Sequence, residues 1–156
     1  MPGYLLDTNI PVYLQTPDSP FHNPVKESFY KLQDDDQLFI SVLSLFELYY
    51  GAALKKKEAE ELAAQAILAI EEIKKRFTLL PLNGKEAPIF GEIKASYKTK
   101  FKEEREKKGT IKKHDVDFIL AGTAIEYGLV IVSNDNIFPR IKELFPDLEI
   151  ENWAKV

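Results

Sequence analysis

A chain of 156 residues, 45% apolar and 29% charged, has the composition of an ordinary globular protein with material for one hydrophobic core. No apolar run approaches the ~20 residues of a membrane-spanning helix, and no basic stretch leading into an apolar one opens the chain, so one cytoplasmic domain over residues 1–156 is expected. The absence of cysteine excludes thiol catalysis, disulfides and cysteine–zinc sites, and only two histidines, His22 and His114, are present, so a metal site here would be built from oxygen ligands, which suit Mg²⁺ or Mn²⁺.

In chain order, Tyr4–Leu6 reads as a short buried strand that stops at Asp7-Thr8-Asn9. Asn23-Pro24 reads as an N-cap with proline at the first helical position, opening a helix to about Gln33. Leu38 to Val42 is a second apolar strand, and a helix from about Ser44 to Leu54 carries LFELYYGAAL. A long helix rich in alanine and glutamate covers about Lys57 to Lys75. Phe77–Leu82 is a third strand, closed by Pro81. A helix from about Glu86 runs through a basic stretch to about Gly109, and another runs from Asp115 or Asp117 to Tyr127, stopped by Gly128. Leu129–Val132 is the fourth strand, Ile137–Leu144 a short helix, and Leu148–Ile150 a last strand. Short, almost wholly apolar strands separated by helices predict a parallel sheet covered on both faces.

In such a sheet, ligands bind beyond the carboxyl ends of the strands. Asp7 follows the first strand, Glu47 lies in the helix after the second, Asp117 opens the helix that feeds the fourth, and Asp135 follows the fourth. Each has an ordinary structural reading. Asp7 can serve a turn. Ser44-Leu45-Phe46-Glu47 matches a capping box. Asp115 and Asp117 can complement a helix dipole, and Asp135 can cap the next helix. Four carboxylates on one edge nevertheless raise one another's pKa. A divalent cation removes that cost, so the set points to hard-metal chemistry on phosphodiesters.

Four segments in order, LLDTNI, SVLSLFELYYGA, DFILAGTAIEYGLVIVSND and LEIENW, resemble the PIN-domain nucleases, and most closely the VapC-type toxins of toxin–antitoxin pairs. The resemblance implies a three-layer α/β/α fold with a parallel sheet of four to five strands. It implies a Mg²⁺- or Mn²⁺-dependent endoribonuclease held by a VapB-type antitoxin. Asp7, Glu47, Asp117 and Asp135 would be the acidic site, with Thr8, Asn9 and Ser133 as polar supports. Ala121, Gly122 and Ala124 would let their helix pack closely on the sheet. Of Asp115 and Asp117, the apolar run starts directly after Asp117, so Asp115 is expected to face solvent or RNA. His114 reads as a surface loop residue. A haloacid-dehalogenase phosphatase would need Asp-x-Asp where the chain has Asp7-Thr8-Asn9, and a receiver domain an aspartate where it has Leu82-Asn83-Gly84. The alternative that survives is a catalytically inactive PIN-like module that binds RNA or protein.

Two surface features complete the reading. Between Lys94 and Lys113 nine Lys/Arg stand against three Glu, a local +6 that leaves −10 on the rest of a chain whose total is −4. Glu103/Lys107 and Glu104/Lys108 are also spaced as i,i+4 pairs of a solvated helix face. Lys108, Lys112 and Lys113, at the end nearest Asp117, are the candidate RNA contacts. The helices LFELYYGAAL and DFILAGTAIEY carry more large apolar side chains than one sheet face needs, which predicts a homodimer.

Overall fold

The computed structural model describes residues 3–101 and 114–156. Five strands, β1 (Gly3–Leu6), β2 (Gln37–Ser41), β3 (Thr78–Leu80), β4 (Val130–Val132) and β5 (Glu149–Glu151), form one sheet in the order β3-β2-β1-β4-β5, with every neighbouring pair parallel. Parallel neighbours cannot be joined by a tight turn. Helices therefore make the connections: α1 (Asn9–Leu14) and α2 (His22–Tyr30), then α3 (Val42–Lys56) and α4 (Glu60–Arg76), then α5 (Ala87–Lys100) and α6 (Asp115–Tyr127), and last α7 (Ile137–Leu144). The expected three-layer α/β/α architecture is the one observed.

The period-2 geometry of the central strands divides the core. Leu5 and Ile131 face a cluster with Ile93, Tyr97, Phe118, Leu120, Phe138 and Ile141, drawn from α5, α6 and α7. Leu6, Ile40 and Val132 face the opposite cluster, with Ile10, Val25, Leu45, Ile70 and Ile73 from α1 to α4. From β1 the chain steps outward to β2 and β3, then returns to place β4 and β5 on the other side. Right-handed crossovers in the two directions put helices on opposite faces. The reversal opens a crevice at the carboxyl ends of β1 and β4.

Several boundaries differ from expectation for local reasons. Residues Asn9–Leu14, read only as the aftermath of a strand, form the short helix α1, which has no side-chain cap. Helix α2 begins at His22 rather than at Pro24, with Ser19 Oγ accepting from Phe21 N (3.2 Å) ahead of it. Proline fits because the first helical turn has no intrahelical partners for its N–H groups. Helix α3 is capped by Ser41, whose hydroxyl accepts from Leu43 N (3.1 Å). Ser44 thus lies inside the helix and forms no capping box with Glu47. Phe77 ends α4 instead of opening β3. Helix α5 is described to Lys100, and the rest of the basic stretch, Lys108, Lys112 and Lys113 included, lies outside the described residues.

Helix α6 does not contribute the exposed apolar surface expected of it, because Phe118, Leu120, Ala121 and Ala124 are all buried in the core. It ends at Gly128, whose φ of +63° is the left-handed conformation of a helix C-terminus. Gly122 admits a neighbouring helix rather than the sheet. A Cβ there would lie 3.2 Å from Phe90 N and 3.3 Å from Glu86 O, both backbone atoms at the start of α5. Gly122→Val should therefore destabilise by about 1–3 kcal/mol in urea unfolding. Gly91→Ala, on the open face of α5 with nothing within 4 Å, should be neutral or stabilising by up to about 1 kcal/mol. Equal effects of the two would disprove the close helix approach.

Candidate active site

Asp7 is the first residue past β1, yet its N–H still donates to Val132 O (2.9 Å), so the β1–β4 ladder fixes where its side chain starts. Both carboxylate oxygens are held. Oδ1 accepts from Thr8 N (2.8 Å) and Oδ2 from the Ser133 hydroxyl (2.8 Å). Ser133, buried past β4, also accepts from Asp135 N (3.0 Å). On the other side, the Thr8 hydroxyl donates to Glu47 Oε1 (2.8 Å) and stands 3.0 Å from the Ser44 hydroxyl. A continuous polar chain thus runs Glu47–Thr8–Asp7–Ser133–Asp135 across the carboxyl ends of the central strands. Glu47 faces this chain and not its own helix terminus. Asp135 does serve its helix, with Oδ1 accepting from Ile137 N (3.1 Å).

Asp117 joins from the far side. Its Oδ2 is 3.4 Å from His114 Nδ1. Asp117 and Asp135 also act together on the Tyr97 hydroxyl. That phenol's pKa is raised, first by burial and further by Asp135 and Asp117, while Arg140, donating from Nη1 at 3.3 Å, pulls it down. Asp7 is raised as well. Burial is the largest cause, Glu47 and Asp135 add to it, and the bonds from Ser133 and Thr8 oppose it. The four sequence-selected acids therefore act on one another or on a shared neighbour. As the side chains lie, no three acidic or histidine residues among those described close on a single point that could hold a metal ion. Asn9, the third polar support anticipated from sequence, is exposed at the start of α1 and lines the edge of a groove beside Thr8 and Glu47.

The PIN-domain family model matches residues 4–144. The chain belongs to the PIN-domain family. Over 152 residues, 97% of this chain, it is 32% identical to Ribonuclease VapC2 of Haemophilus influenzae, 98% of which is covered. It is also 32% identical over 144 residues to Ribonuclease VapC of Rickettsia bellii, covering 91% of this chain and 92% of that one. Among solved structures, DNA-bound VapBC from Salmonella typhimurium superposes with a TM-score of 0.66 at 26% identity, over 98% of this chain and 99% of that one. Within the PIN family the chain is thus of the VapC type.

Three residues of this PIN domain behave differently from their sequence reading. Asp115 does not point to open solvent but pairs with Lys94 of α5 (2.9 Å), away from the partner of Asp117, as two-residue spacing on a helix requires. His114 is half-buried, tilted against the rings of Tyr97 and Phe118, and touches Asp117. Ser44, which its sequence marks as a helix cap, instead meets the Thr8 hydroxyl; Tyr97 and Arg140 also reach the acidic network, although nothing in their local sequence marks them.

Because Asp7 titrates above its ordinary 3.8 in the folded state, the unfolded chain gives up its proton first as pH rises. Stability is therefore lost from 3.8 up to the raised value. Asp7→Asn escapes that loss and can still accept from Thr8 N. Its Tm should match or exceed wild type near neutral pH, and any advantage should shrink as pH falls from the raised value toward 3.8 and be gone below it. A variant melting several degrees lower near neutral pH would make Asp7 a turn residue first.

Proposed function

We propose that this PIN domain is a cytoplasmic Mg²⁺- or Mn²⁺-dependent endoribonuclease, the toxin of a toxin–antitoxin pair. The observation that carries the reading is the convergence of carboxylates. Asp7, Glu47 and Asp135 come from different elements to one edge, and each of the last two raises Asp7. Asp117 bears on the same neighbour as Asp135. An all-oxygen set that repels itself fits a hard divalent cation. Glu47 is held toward the site by the Thr8 hydroxyl, so a modest rotation of its side chain would bring it to Asp7 and Asp135, with Asp117 completing the set from the far side. When bound, the ion would polarise a phosphate oxygen and acidify a water. The chain's own residues prepare that chemistry. Thr8 and Ser133 fix the two oxygens of Asp7, and Ser133 ties Asp135 to the same position. The names Ribonuclease VapC on the two curated relatives support RNA as the substrate. No helix among the described residues is long and apolar enough to cross a membrane, in keeping with the proposed location.

The partners follow from the two faces of α3. One face, with Thr8, Glu47, Gly51, Ala52 and Ile70, lines a groove of about 340 Å³ that opens at the acidic edge. We assign it to a VapB-type antitoxin, since a chain seated there would cover Glu47. The VapBC complexes among the structural neighbours support such a partner. The other face carries Phe46, Tyr50 and Leu54 at i,i+4 spacing, with Phe46 and Tyr50 each 67% exposed. These residues do not enter the core, and we assign the strip to a homodimer contact. Lys108, Lys112 and Lys113 are proposed to guide RNA phosphates to the acids.

Purified protein should cleave RNA with Mg²⁺ or Mn²⁺, lose the activity in EDTA, and lose it in Asp7→Asn and Asp117→Asn. Undiminished cleavage in EDTA would overturn the mechanism. RNA binding without cleavage of any RNA under any metal would favour the inactive binding module. Light scattering should give twice the chain mass of 17.9 kDa, and Tyr50→Glu should return it to one chain. A wild-type protein that stays at one chain mass at micromolar concentration would remove the dimer.

A further inference from the structure

Arg140 on α7 is held in a way that surface arginines seldom are. Its Nη1 donates to the hydroxyl of Tyr97, a side chain fully buried in α5. Its guanidinium also stands 5.5 Å from the centre of the Phe101 ring, just past the end of the same helix. Tyr97 and Phe101 lie against each other, with centroids 4.5 Å apart, so the two contacts form one platform. The hydroxyl that orients Arg140 is the one on which Asp135 and Asp117 act. Asp135, whose Oδ1 accepts from Ile137 N (3.1 Å), stands at the start of α7, so the cation is anchored on the helix that opens at the acidic edge, while Arg140 itself remains exposed.

We propose that Arg140 is a phosphate-binding residue of the site, contacting the RNA backbone next to the bond that is cut. The inference rests on the ribonuclease reading for what the acids do, but the contact itself requires only RNA. A cluster of carboxylates repels a polyanion, and an arginine at its margin supplies the opposite charge where a backbone phosphate must lie. Guanidinium suits this task because its planar fork pairs with two phosphate oxygens while its face stays stacked on an aromatic ring. Tyr97 and Phe101 limit the orientations of the side chain, so little rotamer freedom remains to be lost on binding. Contact to phosphate carries no base preference, so Arg140 would hold the strand in place without selecting its sequence.

The test uses a labelled single-stranded RNA that wild type cleaves, or any labelled single-stranded RNA if none is cleaved. Binding is measured by anisotropy with Mg²⁺ in the Asp7→Asn background, which leaves the RNA intact, over a series of salt concentrations. Adding Arg140→Ala should weaken binding by about tenfold, the size expected of one charge-assisted contact. The slope of log affinity against log salt should fall by about 0.7, one single-strand phosphate. Arg140→Lys should keep the slope and recover part of the affinity. With Asp7 intact, Arg140→Ala should raise KM more than it lowers kcat. Arg140→Gln, which keeps most of the side-chain length, serves if the alanine variant melts early. Unchanged affinity and salt slope in a folded Arg140→Ala or Arg140→Gln protein overturn the proposal. If such a protein still cleaves, the ribonuclease reading stands without it. Arg140-dependent binding with no cleavage by wild type would sustain the phosphate contact and overturn the nuclease. An inability of the Asp7→Asn protein to bind RNA would overturn the proposed contact.

Discussion

Burial of the Asp7 carboxylate beside two other acids is the constraint on which the site depends. Loss of water first, and then the nearby Glu47 and Asp135, raise its pKa and make it expensive to ionise. The fold tolerates it through two short hydrogen bonds, from Thr8 N and from the Ser133 hydroxyl, each to a different oxygen. Those bonds do more than offset the cost. Thr8 carries its own hydroxyl to Glu47, and Ser133 accepts from Asp135 N. The groups that hold Asp7 in place are the same ones that assemble its neighbours, so the acids are positioned as a unit and repel as a unit.

The sheet makes that unit possible. Because β1 lies at the centre and the strand order reverses there, the carboxyl ends of β1 and β4 sit side by side, with Asp7 N bonded to Val132 O. Alternation then separates structure from chemistry. Leu5 and Leu6 anchor opposite hydrophobic layers, and the next residue emerges from the ladder as the first free to face solvent. The helices complete the arrangement. Helix α3 starts directly after β2, which puts Glu47 within reach of Thr8, and α6 opens near the site because Gly122 lets it press against the start of α5.

The central strands and the C-terminal stop of α6 were legible because strong local chemistry marks them: unbroken apolar runs in β1, β2 and β4, and a glycine where φ must be positive. The shared edge of Asp7, Glu47 and Asp135 was legible because each falls beside one of the strands or at the helix that follows it. Where local signals were weak or duplicated, the sequence misled. Ser41 and Ser44 are both competent caps, and only packing assigns the first to α3 and the second to Thr8. Helix α1 is six residues long with no side-chain cap, so only its contact with the core through Ile10 and Pro11 marks it. The composition of α6 suggested spare apolar surface, but two neighbouring helices and the sheet take it up. Tyr97 and Arg140 are 43 residues apart, and no periodicity announces a contact made by tertiary packing alone.

On the proposed function, these carboxylates form one cation site whose repulsion the cation relieves. Thermal unfolding of the wild-type protein and of Asp7→Asn across a Mn²⁺ series tests it most directly, since an ion bound only by the folded state raises Tm with concentration. The wild-type Tm should rise with Mn²⁺, and the curve for Asp7→Asn should start at or above it without metal and rise far less. A wild-type Tm indifferent to Mn²⁺, or an equal rise in both proteins, would contradict it.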